Sequence, residues 1–229
     1  MQETTTGILL QGDIRGWTIP IIEQHLQNFP DSEIILSTWD TEDISNIPCK
    51  VIQSKLPEPT YPYKSSKNYQ IIGSQNGLRN MKSDVILKTR TDIFVHNPKI
   101  FDIFFSENIY EKIMYPSLGF IKELRDYWIA DFCQLSSRKT LIDFWDSMPL
   151  HDGKDRMTPE EYFTRKYVLD IKKDNRPWNI THNSYFIKKR YHEDFQIELE
   201  KFALNESYQD DLLAAYVEDP DEYSLYPKK

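Results

Sequence analysis

The amino-acid sequence predicts an α/β fold, a single Rossmann-like domain with a central, mostly parallel sheet flanked by helices. Short apolar runs alternate with segments of helical periodicity through the first 100 residues. This alternation is typical of strand–helix–strand units with parallel strands. The length of 229 residues suits one large domain, and 39% hydrophobic residues are enough to fill its core. We therefore treat 1–229 as one domain.

The first half of the chain predicts four strands and two helices. Thr18 can cap the first helix, with Pro20 in its first turn. The second helix carries Gly73, Ser74 and Gly77 on one face, which would let it approach the sheet closely. The predicted strands are 7–13, 32–40, 50–54 and 83–90, and the predicted helices are 18–29 and 67–82.

The second half is less regular, and shorter patterns predict its elements. The helix at 158–170 has the clearest start, because Thr158 and Glu161 form a capping box with Pro159 at the first helical position. An aromatic and apolar segment covers 127–137. The other predicted elements are helices at 100–106 and 138–148 and strands at 112–117 and 178–191.

Composition excludes several classes of protein. A net charge of −8 argues against a nucleic-acid partner. Cys49 and Cys133 show neither metal nor redox spacing, which suits a reducing compartment. The N-terminus lacks signal-peptide features, and no run approaches the roughly 20 apolar residues of a membrane span. We expect a cytoplasmic protein. The aromatic and charged end at 222–229 is suited to docking on a neighbour or on membrane-bound assembly enzymes at the inner membrane face.

Polar residues follow three of the predicted strands at the point where each strand ends. Ligands of open α/β sheets bind beyond the carboxyl ends of the strands, so these residues predict one shared pocket. The alternative is a set of ordinary loop residues. The candidates are Gln11, Gly12, Asp13 and Arg15 after the first strand, Ser37, Thr38, Trp39 and Asp40 after the second, and Lys88, Arg90 and Asp92 at the fourth.

The stretch "VILKTRTDIFV" places charged residues inside an apolar strand. The strand period of two puts Lys88, Arg90 and Asp92 on one face. Two cations can bind phosphate groups, and a carboxylate beside them can hold a divalent metal that bridges a diphosphate. That combination suits a nucleotide-sugar. The alternative is an internal ion pair of Asp92 with Arg90 or Lys88.

Four motifs resemble one protein family. "LLQGDIRG", "NFPDSEIILSTWD", "KNYQIIGSQNGL" and "VILKTRTDIFV" follow one another in the order and spacing of the WavE lipopolysaccharide-synthesis family. The resemblance is close over about 8–100 and looser afterwards. It implies a GT-A-like glycosyltransferase that uses a nucleotide-sugar donor and a glycan or glycolipid acceptor of lipopolysaccharide core or capsule. It further implies a nucleotide-sugar-binding half at about 7–100, and an acceptor half with a C-terminal tail at about 101–229.

The resemblance also implies roles for single residues. Thr91 and Asp92 stand where such enzymes carry an Asp-x-Asp motif, but Arg90 replaces the first Asp. Dependence on Mn²⁺ or Mg²⁺ held by Asp92 is therefore open, and Arg90 is a candidate to neutralise part of the diphosphate. His182 is a candidate second metal ligand, or else a structural histidine. The residues implied near the nucleoside are Gln11, Gly12, Thr38, Trp39, Asn68 and Gln75.

A transferase that inverts configuration needs a general base to deprotonate the acceptor hydroxyl. Asp131, in the aromatic segment, is the first candidate, and Glu160 is the second. A retaining mechanism would not need this base in the same role, and the sequence leaves both mechanisms open. Two other functions also stay open. One is a nucleotidyltransferase acting on sugar phosphates, and the other is a non-catalytic glycan-binding protein of the same fold.

Overall fold

The computed structural model describes residues 4–117 and 125–203, and within them strands and helices alternate along the chain. The strands are β1 (Thr6–Gln11), β2 (Glu33–Trp39), β3 (Lys50–Ser54), β4 (Val85–Arg90), β5 (Ile93–Val95), β6 (Ile113–Ser117), β7 (Gln134–Ser137), β8 (Phe186–Arg190) and β9 (Ile197–Leu199). The helices are α1 (Thr18–Asn28), α2 (Lys67–Asn80), α3 (Ile100–Glu107), α4 (Arg138–Asp146), α5 (Pro159–Arg165), α6 (Trp178–Tyr185) and α7 (Glu200–Ala203).

Seven strands form the central sheet in the order β3-β2-β1-β4-β7-β6-β8. Only β7 runs against its neighbours β4 and β6, while the other pairings are parallel. The central strands are buried almost throughout, as expected when helices cover both faces of a parallel sheet. The predicted α/β fold with a mostly parallel sheet flanked by helices is confirmed.

Helix α2 packs on the sheet through its small residues, as predicted. Gly73, Ser74 and Gly77 are all buried. A Cβ atom at Gly77 would lie 2.4 Å from Leu9 Cδ1 of β1. Only glycine therefore allows this helix–strand distance, which outweighs the helix propensity that glycine lacks.

One of the two predicted helix starts differs from the structure. Trp17 precedes α1 without a capping side chain, and Thr18 is the first helical residue rather than the cap. The Thr18 hydroxyl instead accepts a hydrogen bond from the Arg15 backbone at 2.8 Å and donates one to the Thr91 carbonyl at 3.1 Å. Thr158 does cap α5, since its hydroxyl accepts from the Glu161 backbone at 3.3 Å. The helix then changes to a π-helical turn at Lys166–Ile171.

The predicted strand at 178–191 is wrong in its first part, which forms α6, and only Phe186–Arg190 is extended. The aromatic rings here recur every four residues, which is a helical spacing. Trp178 packs on His182 with ring centroids 5.3 Å apart, and His182 packs on Phe186 at 6.0 Å. These ring contacts stabilise a helix, although the same residues also have strand propensity.

A second, two-stranded sheet joins distant parts of the chain. Strand β5 follows β4 directly and pairs antiparallel with β9. The Glu200 backbone N–H, just after β9, donates to the Asp92 carbonyl at 3.0 Å. The chain near residue 200 is thereby tied to the end of β4.

Two further expectations concern the membrane and the C-terminal tail. No helix in the described ranges is long and apolar enough to cross a membrane. The tail beyond residue 203, including the docking segment at 222–229, lies outside the described residues.

Candidate functional site

A cavity of about 320 Å³ lies where β1, β2 and β4 end and α2 begins. This is the edge at which open α/β sheets bind their ligands. Backbone hydrogen bonds hold its rim together, because Gly12 N donates to the Ser37 carbonyl at 3.1 Å and Thr91 N to the Gln11 carbonyl at 3.3 Å. The lining residues are Gln11, Gly12, Asp13, Arg15, Trp39, Ser66, Tyr69, Gln70, Arg90, Thr91 and Asp92.

Asp92 organises two arginines in this cavity. Arg90 donates through Nε to Oδ1 at 2.9 Å and through Nη2 to Oδ2 at 2.5 Å. Arg15 donates through Nη1 to Oδ2 at 2.8 Å. The Asp92 side chain is 1% exposed, while those of Arg90 and Arg15 are 24% and 44% exposed. A buried carboxylate thus holds two guanidinium groups that remain accessible from the cavity.

Arg90 stays charged in this environment. Burial alone would lower its pKa, but the Asp92 carboxylate acts in the opposite direction and the pKa of Arg90 is raised. The carboxylates of Asp131 and Glu160 also act on Arg90 electrostatically. Both predicted general bases therefore lie within electrostatic reach of the arginine that lines the cavity.

Another wall of the cavity is aromatic and polar. The Tyr69 ring meets Trp39 edge-on, with centroids 5.6 Å apart and an angle of 84°. Trp39 Nε1 donates to Asp13 Oδ1 at 2.6 Å, and Gln11 Nε2 donates to the Tyr69 carbonyl at 3.3 Å. Gly12 has φ = +137°, which other residues rarely adopt, and so it turns the chain sharply after β1.

A cluster of buried polar residues lies beneath the cavity, around Asp131. Gln70 Nε2 donates to Asp131 Oδ2 at 2.7 Å, and Lys88 Nζ donates to the Asp131 carbonyl at 3.0 Å. The Lys88 ammonium lies 4.5 Å from the centre of the Trp145 ring. Burial lowers the pKa of Lys88 to about 8, although the charge of Asp131 partly opposes this. Lys88 thus holds the Asp131 backbone in place beneath the cavity.

The structure brings six of the ten predicted donor-binding residues to the cavity. They are Gln11, Gly12, Arg15, Trp39, Arg90 and Asp92. Thr38 and Lys88 do not line it, because both are fully buried in the sheet.

Asn68 and Gln75 are engaged away from the cavity. Asn68 exchanges two hydrogen bonds with the His151 backbone, at 3.0 and 2.7 Å. Gln75 Nε2 donates to the Trp145 carbonyl at 2.9 Å. Both side chains lie on the face of α2 that meets the second half of the chain, so they fasten the helix rather than contact a ligand.

Sequence reasoning missed the part of the cavity that α2 supplies. Ser66, Tyr69 and Gln70 all line it. Their spacing of three and four residues places them on one face at the start of the helix. That spacing, next to the small-residue face at Gly73 and Gly77, is the signal that could have identified them.

Asp92 and His182, the residues proposed to hold a metal, both make hydrogen bonds with other side chains. Both Asp92 oxygens accept hydrogen bonds from arginines. His182 shares hydrogen bonds with the Tyr115 hydroxyl at 2.9 Å and with Asn183 Oδ1 at 3.2 Å, and burial lowers its pKa. In the described parts of the chain, no group of three or more His, Cys, Asp or Glu side chains is arranged to hold a metal ion.

Solved structures resemble this fold at low sequence identity. A protein from Bacillus anthracis assigned as a glucose-1-phosphate thymidylyltransferase, in complex with sucrose, is 10% identical, with a TM-score of 0.49 over 96% of this chain and 99% of that one. Glucosyl-3-phosphoglycerate synthase from Mycobacterium tuberculosis, in complex with Mn²⁺, UDP and glucosyl-3-phosphoglycerate, is 12% identical, with a TM-score of 0.47 over 81% and 69% of the two chains. The mannosyltransferase PcManGT from Pyrobaculum calidifontis, in complex with GDP-Man and Mn²⁺, is 8% identical, with a TM-score of 0.46 over 74% and 53%. Likeness at this level does not assign an activity.

The sequence itself gives a firmer relationship. No curated protein matches it significantly. The family described as WavE lipopolysaccharide synthesis, however, matches residues 10–225, which is nearly the whole sequence. The resemblance carried by the four motifs of the first half is therefore confirmed, and the chain belongs to the WavE lipopolysaccharide synthesis family.

Proposed function

We propose that this protein is a glycosyltransferase of the GT-A type that moves a sugar from a nucleotide-sugar to a growing surface polysaccharide, either lipopolysaccharide core or capsule. The observation that carries the proposal is the pair of accessible arginines on buried Asp92, in a cavity with an aromatic wall at the carboxyl edge of the sheet. The family's role in lipopolysaccharide synthesis supports the same reaction class.

The donor would lie across the cavity between the arginines and the aromatic wall. Arg15 and Arg90 suit a diphosphate, because a guanidinium donates two parallel hydrogen bonds to phosphate oxygens. The half-buried Tyr69 ring, backed by Trp39, offers a face on which a nucleobase can stack. The sugar–phosphate bond would then lie near Arg90, whose charge stabilises the leaving nucleoside diphosphate.

The acceptor would approach from a neighbouring cavity. This second cavity, of about 380 Å³, is lined by parts of 63–67 and 155–159 and shares Ser66 with the first. Glu160 follows its lining residue Pro159 and also acts electrostatically on Arg90. Because Glu160 follows a residue of the second cavity and acts electrostatically on an arginine of the first, we place it ahead of Asp131 as the general base. The Asp131 side chain is buried and accepts from Gln70.

The first test is a thermal-shift panel of nucleoside diphosphates and nucleotide-sugars. A ligand that binds only the native state raises the melting temperature, so we expect a rise with one nucleobase family. Tyr69→Ala should weaken binding about 10- to 100-fold, as loss of one base–aromatic contact does. Tyr61→Ala is the matched control, since Tyr61 is 85% exposed and does not line the cavity. No shift with any nucleotide would refute the donor assignment.

Product analysis separates the three functions. A glycosyltransferase releases a nucleoside diphosphate from the bound donor, either on transfer to an added glycan or on slow hydrolysis. A nucleotidyltransferase would instead release pyrophosphate from a nucleoside triphosphate and a sugar phosphate. If the protein binds glycan but releases neither product, it is a non-catalytic glycan-binding protein of the same fold.

A further inference from the structure

We propose that Arg15 and Arg90, rather than a divalent cation, neutralise the donor diphosphate, and that Asp92 is the positioning residue that aligns them. This inference rests on the proposed function and specifies how its site recognises the diphosphate. The position that would hold a metal through an Asp-x-Asp motif thus holds an arginine pair in this chain.

The first argument is the state of the Asp92 carboxylate. Its two oxygens accept three hydrogen bonds from the guanidinium groups, at 2.5 to 2.9 Å. A metal bound to Asp92 would displace at least one of these charge-assisted bonds. It would also place a cation beside two arginines at a side chain that is 1% exposed. Removing a partner from a buried charge carries a large penalty, so the arginine-bound state of Asp92 is favoured.

The second argument is the hydrogen-bonding capacity that the arginines retain. Arg15 uses Nη1 on Asp92, and Arg90 uses Nε and Nη2. Each guanidinium has more N–H donors than these bonds require. Both residues line the cavity and are partly exposed, so their remaining donors can reach a ligand there. Their attachment to one carboxylate keeps the two guanidinium groups near each other, as binding of two adjacent phosphates would require.

The third argument is that, among the residues the structure describes, Asp92 has no partner ready to hold a metal with it. The other acid that lines the cavity, Asp13, already accepts a hydrogen bond from Trp39 and lies 4.0 Å from Arg15. Candidate ligand His182 makes its hydrogen bonds with Tyr115 and Asn183, and neither of these residues lines the cavity. A single carboxylate already bonded to arginines is a poor site for a cation that prefers several oxygen ligands.

Calorimetric titration of nucleoside diphosphates tests the inference directly. Binding is measured in EDTA and again with Mn²⁺, and we expect the two dissociation constants to agree within about threefold. Arg15→Gln should weaken binding of the nucleoside diphosphate about 10- to 100-fold, which is the effect of losing one charge-assisted contact. The same variant should weaken binding of the unphosphorylated nucleoside much less, because a nucleoside has no phosphate for Arg15 to contact. Arg79→Gln is the matched control, since Arg79 pairs with Asp146 at 3.2 Å away from the cavity.

Asp92→Asn separates a positioning role from a purely structural one. A structural role lowers the melting temperature but leaves the affinity of the folded protein unchanged. A positioning role lowers the affinity for the diphosphate, measured well below the melting temperature, and reduces the preference for diphosphate over monophosphate. If Asp92→Asn does not fold, Arg15→Gln still tests whether the arginine pair binds the diphosphate, because the Arg15 side chain is 44% exposed.

The outcomes distinguish this inference from the proposed function. Binding that appears only with Mn²⁺ would overturn the arginine proposal and leave the glycosyltransferase proposal intact. Equal binding by the parent protein, Arg15→Gln and Asp92→Asn would overturn it as well. If no nucleotide binds with or without Mn²⁺, the proposed function fails, and this inference fails with it.

Discussion

Two glycines one turn apart on α2 allow the cavity to be perturbed separately from the core. A Cβ atom at Gly73 would lie 2.7 Å from Gln11 Cγ and 2.9 Å from Gln11 Nε2. A Cβ atom at Gly77 would lie 2.4 Å from Leu9 Cδ1 and 2.8 Å from Leu9 Cδ2. Gln11 lines the cavity, whereas Leu9 is fully buried in the sheet. Gly73→Ala and Gly77→Ala therefore form a matched pair.

The two variants share one favourable effect and differ in the unfavourable one. Replacing glycine by alanine inside a helix stabilises it by about 0.8 to 1 kcal/mol. Overpacking a core costs about 1 to 3 kcal/mol. Leu9 has no exposed side, so Gly77→Ala should lower the free energy of unfolding by up to about 2 kcal/mol after the helix gain. Gln11 can rotate into the cavity instead, so Gly73→Ala should change the free energy of unfolding by less than about 1 kcal/mol.

Nucleotide affinity should fall more in Gly73→Ala than in Gly77→Ala, which is the opposite order to the loss of stability. In Gly73→Ala the displaced Gln11 side chain occupies part of the cavity and loses its bond to the Tyr69 carbonyl, 3.3 Å in the parent protein. We expect about a tenfold loss of affinity, close to one hydrogen bond. Gly77→Ala should bind like the parent protein. Chemical denaturation and calorimetric titration measure the two quantities. Equal losses of affinity in both variants would refute the reasoning, because only one of the clashes involves the cavity.

Two further predictions concern a buried histidine and the candidate bases. Burial, with a smaller effect from His96, lowers the pKa of His25 to about 4. The unfolded chain binds this proton at the usual histidine pKa of 6.5, and the folded chain does not. The stability that this provides is therefore present above pH 6.5 and is lost as the pH falls towards 4. Between roughly pH 7.5 and pH 4.5, the free energy of unfolding should fall by about 2 kcal/mol more in the parent protein than in His25→Leu, and an equal fall in both would contradict the assignment. Glu160→Gln should lower turnover by about 100-fold or more without weakening nucleoside diphosphate binding. Asp131→Asn should mainly lower the free energy of unfolding. If kinetics and denaturation show the reverse pattern, Asp131 is the base.

The first half of the fold was predictable because its strands and helices follow local rules. Parallel strands covered on both faces appear in the sequence as short apolar runs. Strands β2, β3 and β4 fall inside the predicted segments, and β1 begins one residue before its own. The small face of α2 was also predictable, since Gly73 and Gly77 are costly in a helix unless close packing requires them.

The second half was less predictable because its structure depends on contacts between distant residues. Strand β5 has three residues and exists through its pairing with β9, about 100 positions later. In α6, the ring contacts of His182 with Trp178 and Phe186 decide in favour of a helix. Residues of mixed propensity take the structure that buries their side chains, and a local pattern cannot reveal which structure that is.

The charged stretch at the end of β4 shows what a strand period can predict and what it cannot. Alternation predicted one face for Lys88, Arg90 and Asp92, but a period specifies a face and says nothing of depth. Lys88 lies two residues before the end of the strand, and the Asp131 carbonyl and the Trp145 ring cover its ammonium group. Arg90 is the last residue of the strand and reaches the cavity.

The ion pair and the ligand site were posed as alternatives for this stretch, and the geometry makes them compatible. Asp92 is buried and bonded to Arg90, as an internal ion pair requires. The same bond holds Arg90 at the cavity, where its charge is accessible. An arginine at a ligand site needs a partner in the absence of ligand, because an unpaired, partly buried charge is unfavourable. The ion pair is therefore the arrangement expected when a protein positions a cation in advance for an anionic ligand.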